Sequence, residues 1–220
     1  MSRTGKNRSF DGTNEVPVTD LEINPEYNCT ERRLARLRST IERRQPDLHL
    51  VLENVHDPHN VSAVLRTCDA VGVGTVHLVY TYEKFPKIGK TSSASAWKWA
   101  EMVPHESIEA CYAHLRARGV GIYATDLSSR AESLYALDMT GPVALVFGNE
   151  KRGVSEEASK LADGNLLIPM VGLIQSLNIS VACAVTLYEA MRQRTVAGKY
   201  DVSALSEAEV AVKIREWLDK

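Results

Sequence analysis

Apolar residues recur along this chain in two alternating spacings. Short apolar runs at residues 48–55, 75–80, 120–124, 143–147 and 165–169 have the length and composition of strands. Between them, residues 61–71, 107–119, 155–162 and 178–196 repeat apolar side chains at helical spacing. Asn60 is placed to cap the first of these helices and Gly72 to stop it. Ser107 and Ser155 open the next two, with Glu156 and Glu157 in a first turn, and Gly198 follows the last. Strands alternating with helices predict an α/β fold with a mostly parallel sheet flanked by helices. Two further helices flank this core. Thr30 can cap one that carries Leu34, Leu37 and Ile41 as a narrow stripe and ends at Pro46. Ser206 and Glu209 form a capping box for another running to Lys220. Residues 81–98 are polar and rich in small side chains, and read as a long loop before Trp97 and Trp99.

One segment breaks the pattern. Residues 168–178, from Ile168 to Asn178, have neither period, yet are mostly apolar. Exposed loops are usually polar because water must solvate their backbone, so this loop is expected to pack against protein or ligand.

Composition and charge narrow the class. At 44% hydrophobic and 25% charged residues over 220 positions, the chain can bury a sizeable core, and no apolar run approaches the roughly 20 residues of a membrane span. Residues 1–29 read as a flexible polar arm without the apolar centre of a signal peptide. Four scattered cysteines without a C-x-x-C pair suggest a reduced, cytoplasmic protein with no metal site. Net charge is −2, yet six arginines stand against two glutamates between Glu31 and Arg44. Arginine unmatched by glutamate gains little from helical pairing and suits phosphate, so residues 30–46 are expected to form a basic helix, which the resemblance given below makes an RNA-binding one.

In α/β sheets, ligands bind beyond the carboxyl ends of strands, and four loops qualify: residues 56–60, 125–128, 148–153 and 171–178. The glycine spacing fits neither a dinucleotide fingerprint nor a P-loop. Arg66, isolated among small and apolar residues, reads equally as a functional cation or as half of a buried ion pair with Asp69 or Glu150.

Three motifs go further: Asn60 to Ala70, Phe147 to Ser155 and Ile168 to Ser180. In order and spacing they resemble the three signature motifs of the SpoU class of SPOUT RNA 2′-O-methyltransferases. The similarity covers roughly residues 30–220, and is strongest to the branch acting on the D-loop guanosine ribose at tRNA position 18. It finds no counterpart for residues 1–29 or 81–92. The resemblance implies that residues 47–198 form a methyltransferase domain with a deep C-terminal trefoil knot, followed by a C-terminal helix within 199–220. It implies S-adenosylmethionine as methyl donor, held around Thr125, Gly148, Ile168 and Leu177. Arg66 would be catalytic as a stabiliser of the developing alkoxide, since guanidinium is effectively never deprotonated. Asn60, Glu150, Ser176 and Asn178 would orient Arg66 and the cofactor loops. Arg33, Arg36, Arg44, His59, Arg192 and Arg194 would contact the tRNA backbone, and a homodimer is implied. Action on ribosomal RNA or the tRNA wobble ribose, or a catalytically silent RNA-binding relative, are the competing readings.

Overall fold

The computed structural model describes residues 22–88, 96–128 and 131–220. The arm expected at 1–29 lies mostly outside these. Its described end pairs β1 (Ile23–Asn24) with β2 (Cys29–Thr30) in a small antiparallel sheet.

The main sheet has seven parallel strands. In chain order they are β3 (Gln45–Glu53), β4 (Val73–Val79), β5 (Glu101–His105), β6 (Gly121–Thr125), β7 (Ala131–Ser133), β8 (Val143–Phe147) and β9 (Gly164–Leu167). Across the sheet they run β5-β4-β3-β8-β6-β9-β7. β5 and β7 were not anticipated. Each is short and at an edge, and β5 contains Pro104, which removes a ladder donor and masks a strand in the sequence.

Helices cover both faces, so the central strands are buried on both sides. α2 (Pro58–Val71) and α6 (Ile179–Val196) pack on one face with Leu50, Leu52, Leu145 and Phe147. α4 (Ile108–Arg116) and α5 (Glu156–Leu161) pack on the other with Val51, Val79, Ala144 and Val146. Residues 96–99, expected as loop, form the single-turn helix α3 (Ala96–Trp99). Gly72 ends α2 at φ +80°, a left-handed conformation that suits glycine.

The cap of α2 differs from expectation. Asp57 is the N-cap, its side chain accepting from the His59 N–H at 2.8 Å, because Pro58 occupies the first turn where its missing N–H costs nothing. Asn60 is thereby released for other partners.

The flanking helices meet each other. α1 (Glu31–Glu42) and α7 (Glu207–Leu218) enclose a separate small core of Ile41, Val210, Ile214 and Trp217. The Ser206–Glu209 capping box is formed. Arg33 and Arg36 are exposed on α1 without an ion pair among the described residues.

Two arginines expected on RNA are instead structural. Arg44 is buried, paired with Asp69, with its guanidinium 5.2 Å from the Trp217 ring centre. Arg194 is fully buried near the end of α6. It donates to the Met139 carbonyl at 2.9 Å and the Gln45 amide oxygen at 3.1 Å, and also reaches Asp47 and the Gly141 carbonyl. Neither can reach a phosphate, since both guanidinium groups are buried and paired inside the fold. Removing one partner of a buried pair strands the other, so Arg194→Ala should lower unfolding free energy by about 3–5 kcal/mol. Urea denaturation checks this, and a loss below about 1 kcal/mol would mean the side chain is no clamp.

Candidate functional site

The four loops anticipated beyond the strand ends line one cleft of about 640 Å³. His56, Asp57 and Asn60 enter from the end of β3, Thr125 to Leu127 from β6, Gly148 to Val154 from β8, and Ile168 with Gln175 to Asn178 from β9. Phe147, Leu166, Ile168, Leu177 and Ile179 give it an apolar floor.

A carboxylate organises the mouth. Glu150 accepts from the Asn60 amide at 3.1 Å, from the Asp57 N–H at 3.1 Å and from the His56 N–H at 3.4 Å, and lies 2.9 Å from His56 Nδ1. The Asn178 amide donates to Asn60 Oδ1 at 3.1 Å, and Asn178 Oδ1 in turn accepts from Ser180 N–H at 2.9 Å, capping α6. Glu150, Asn60 and Asn178, drawn from three separate motifs, are thus one hydrogen-bonded relay. Burial pushes the Glu150 carboxyl up, but donation from its own backbone, Asn60, Asp57 and His56 outweighs this and holds it below the usual carboxylate range.

The other cofactor candidates sit close by. Thr125 Oγ1 donates to the Val146 carbonyl at 2.9 Å, bracing the ends of β6 and β8. At Gly148 a Cβ would come within 2.1 Å of the Gly153 and Val154 backbone, so only glycine allows the 148–153 loop to close on itself. Asn149 holds that loop, donating to the Asn54 carbonyl at 2.8 Å and accepting from the Lys151 N–H. Asn54 has φ +53° and its Oδ1 accepts from the N–H groups of Thr81, Tyr82 and Glu83. Sequence reasoning passed over Asn54 and Asn149; an asparagine directly after a strand is the signal that marks such a turn.

The apolar loop behaves unlike the others. Among the described residues, no hydrogen bond reaches the backbone between Pro169 and Leu177. Val171, Leu173 and Ile174 are exposed, the first two essentially completely. Unpaired backbone edged by an apolar floor can receive the polar rim of a flat heterocycle, while the floor takes its faces. The cleft therefore fits S-adenosylmethionine, whose adenine needs such a rim and whose positive charge the lining carboxylates Asp126 and Glu150 would tolerate.

Not every expected site residue gathers there. Ser176 lines the cleft, but its hydroxyl has no partner among the described residues. Arg66 lies on α2 about 9 Å along the axis from Asn60 and on a different side of the helix. It is exposed and makes neither of the ion pairs considered for it: Asp69 pairs with Arg44, and Glu150 serves Asn60 and the 56–57 backbone. His59 is exposed at the start of α2, and Arg192 is exposed but held by Glu189 at 2.7 Å.

The model of the SpoU rRNA methylase family matches residues 47–188. The chain belongs to that family. Along 191 residues it is 48% identical to the tRNA (guanosine(18)-2′-O)-methyltransferase of Thermus thermophilus, covering 87% of this chain and 98% of the relative. Its fold superposes on the A. aeolicus TrmH/SpoU tRNA modifying enzyme with a TM-score of 0.81 at 40% identity, over 86% of this chain and 96% of that one. The SpoU methyltransferase AviRb from Streptomyces viridochromogenes, in complex with the cofactor AdoMet, matches with a TM-score of 0.62 at 26% identity, over 68% and 61% of the two chains. No helix of the described residues is long and apolar enough to cross a membrane.

The relay makes a sign-definite prediction. A carboxyl held below its unfolded value stabilises the fold above that value, and the contribution is lost as pH falls through the depressed folded pKa. Glu150→Gln should therefore remove part of the acid-side dependence of stability, and Glu150→Ala should cost about 1–3 kcal/mol at neutral pH by stranding its donors. Thermal melts of both variants between neutral and acidic pH read this. Wild-type slopes retained in Glu150→Gln would place the acid sensitivity elsewhere.

Proposed function

We propose that this protein transfers a methyl group from S-adenosylmethionine to the ribose 2′-oxygen of guanosine 18 in tRNA, in the cytoplasm and as a homodimer. The reading is supported by the cleft with its Glu150–Asn60–Asn178 relay, and by near full-length similarity to an enzyme of that name. The family resemblance further assigns a trefoil knot to the segment that lays the Pro169–Leu177 loop beside the 148–153 loop.

The methyl donor supplies an electrophilic carbon on a sulfonium. This chain's part is to align the ribose hydroxyl with it and to stabilise the charge growing on oxygen. Thr125, Gly148, Ile168 and Leu177 hold the donor through backbone and apolar contact. Glu150, Asn60, Ser176 and Asn178 fix the loops around it. Arg66, as a permanent cation, lowers the hydroxyl's pKa and stabilises the alkoxide, while an adjacent RNA phosphate can take the proton.

Within one chain Arg66 does not face the cleft, so we place it in the cleft of the second copy. The exposed apolar side chains of Val181 and Tyr188 on α6, with those of the 171–174 loop, give a surface for that association. Arg33 and Arg36 on α1 and His59 near the cleft are the groups left open to the tRNA backbone, and Arg192 on α6 joins them by exchanging Glu189 for a phosphate. Each phosphate neutralised should add about 0.7–0.9 to the salt slope of binding.

The activity is tested with an unmodified tRNA transcript, mapping the methylated ribose and using a position-18 substitution as control. Methylation confined to that ribose is expected, and none, or methylation elsewhere, overturns the assignment. Sharing of Arg66 is tested by mixing inactive Arg66→Ala with inactive Asn178→Ala. Reassorted subunits should recover about a quarter of wild-type activity, from the one intact site per mixed dimer. No recovery despite exchange places Arg66 in its own chain's cleft.

A further inference from the structure

Four of the six histidines gather far from the cleft, on the α4 face of the sheet. Parallel register places His49 on β3, His77 on β4 and His105 on β5 in a diagonal row across three neighbouring strands, on the same face as Val51 and Val79. His77 is central. Its Nε2 lies 3.2 Å from His49 Nδ1, and its Nδ1 lies 2.9 Å from His105 Nε2. α4 closes over this row with Cys111 and, one turn on, His114, whose ring centre is 5.5 Å from that of His77 and 5.2 Å from that of His105.

We propose that His77, His105 and Cys111 form a binding site for a borderline-soft divalent transition metal such as zinc, with His114 or water as fourth ligand. The three donor atoms lie within 4.8 Å of one another and come from three separate elements. Tetrahedral zinc with Zn–N near 2.0–2.1 Å holds its nitrogens about 3.3 Å apart. The His77–His105 pair at 2.9 Å need therefore open by only a few tenths of an ångström. A ligating imidazole is normally fixed by a hydrogen bond at its other nitrogen, and His49 is placed to accept it: its Nδ1 lies 3.2 Å from His77 Nε2, so a metal on His77 Nδ1 would fix the tautomer with the proton on Nε2.

The chemistry of the set selects the ion. Nitrogen and sulfur donors without a carboxylate suit zinc or cobalt, and not magnesium or calcium. Neutral imidazole and thiolate are the ligating forms, so the metal must displace the Cys111 thiol proton, and one proton is released per ion bound. His105 and His114 are half-buried and give the ion its way in.

The probe is cobalt(II), added to the full-length protein after chelator treatment. One equivalent should bind, with the visible bands of tetrahedral cobalt, a sulfur-to-cobalt charge-transfer band and release of one proton. His105→Asn, at a half-exposed ring, should weaken binding at least about tenfold. Cys111→Ser should abolish the charge-transfer band. A double His56→Gln, His59→Gln variant controls for adventitious binding at the cleft and should bind as wild type. The proposal is overturned if no cobalt binds, if its spectrum is octahedral and lacks the sulfur band, or if His105→Asn binds as tightly as wild type. Should Cys111→Ser fail to fold, the proton count and His105→Asn still decide.

Discussion

A peptide segment whose backbone has no partner in its own chain must be held from its ends, and the whole cleft follows from that constraint. Between Pro169 and Leu177 nothing in the described protein bonds the backbone. Upstream, β9 anchors the loop by pairing with both β6 and β7. Downstream, Asn178 caps α6 and binds Asn60, which binds Glu150. The loop is thus free to face a ligand without being free to wander. The relay also ties the start of α2 to the loop after β8, so the three motifs have value only together. That is a reason for three distant stretches to carry one signature.

How much of this was legible beforehand depended on the range of the forces involved. Local signals were read well: Ser107, Ser155 and the Ser206–Glu209 box cap the helices assigned to them, and residues 143–147 form the expected strand. The four ligand loops were also legible, because sheet topology alone puts strand ends together. What failed were assignments that depend on the partner a charge finds in space. Arg44 and Arg194 sit in basic stretches that suit phosphate, yet Asp69 and Asp47 claim them from 25 and 147 residues away. Of the two readings open for Arg66, the buried ion pair does not form: the helix turns the side chain outward, and Asp69 pairs with Arg44 instead. Asn60 was read as a cap because the rule is local, and Asp57 with Pro58 simply satisfies that rule better.

The histidine row shows the same limit from another side. Cysteine spacing along the chain offers no metal motif, and it could not do so, because the neighbours of Cys111 lie on strands. His49, His77 and His105 are 28 residues apart in each step, a distance set by the length of a strand–helix–strand unit. Only parallel register turns that spacing into contact.

The sheet therefore carries two different kinds of polar interior on its two faces. On the α6 side, polar groups converge at strand ends, where the cleft is open and the apolar loop awaits a ligand. On the α4 side, they lie within the strands and are enclosed. A buried imidazole is tolerated only if its nitrogens are satisfied, and His77 satisfies both by using its neighbours. The Cys111 sulfur faces ring nitrogens of His77 and His105, and among the described residues it has no hydrogen-bond partner. A cation at that point would turn a set of weak contacts into a bond joining β4, β5 and α4. The edge strand β5, short and interrupted by Pro104, is held by a single ladder, to β4. A link made at His105 would act at that edge of the sheet, away from the residues that line the cleft.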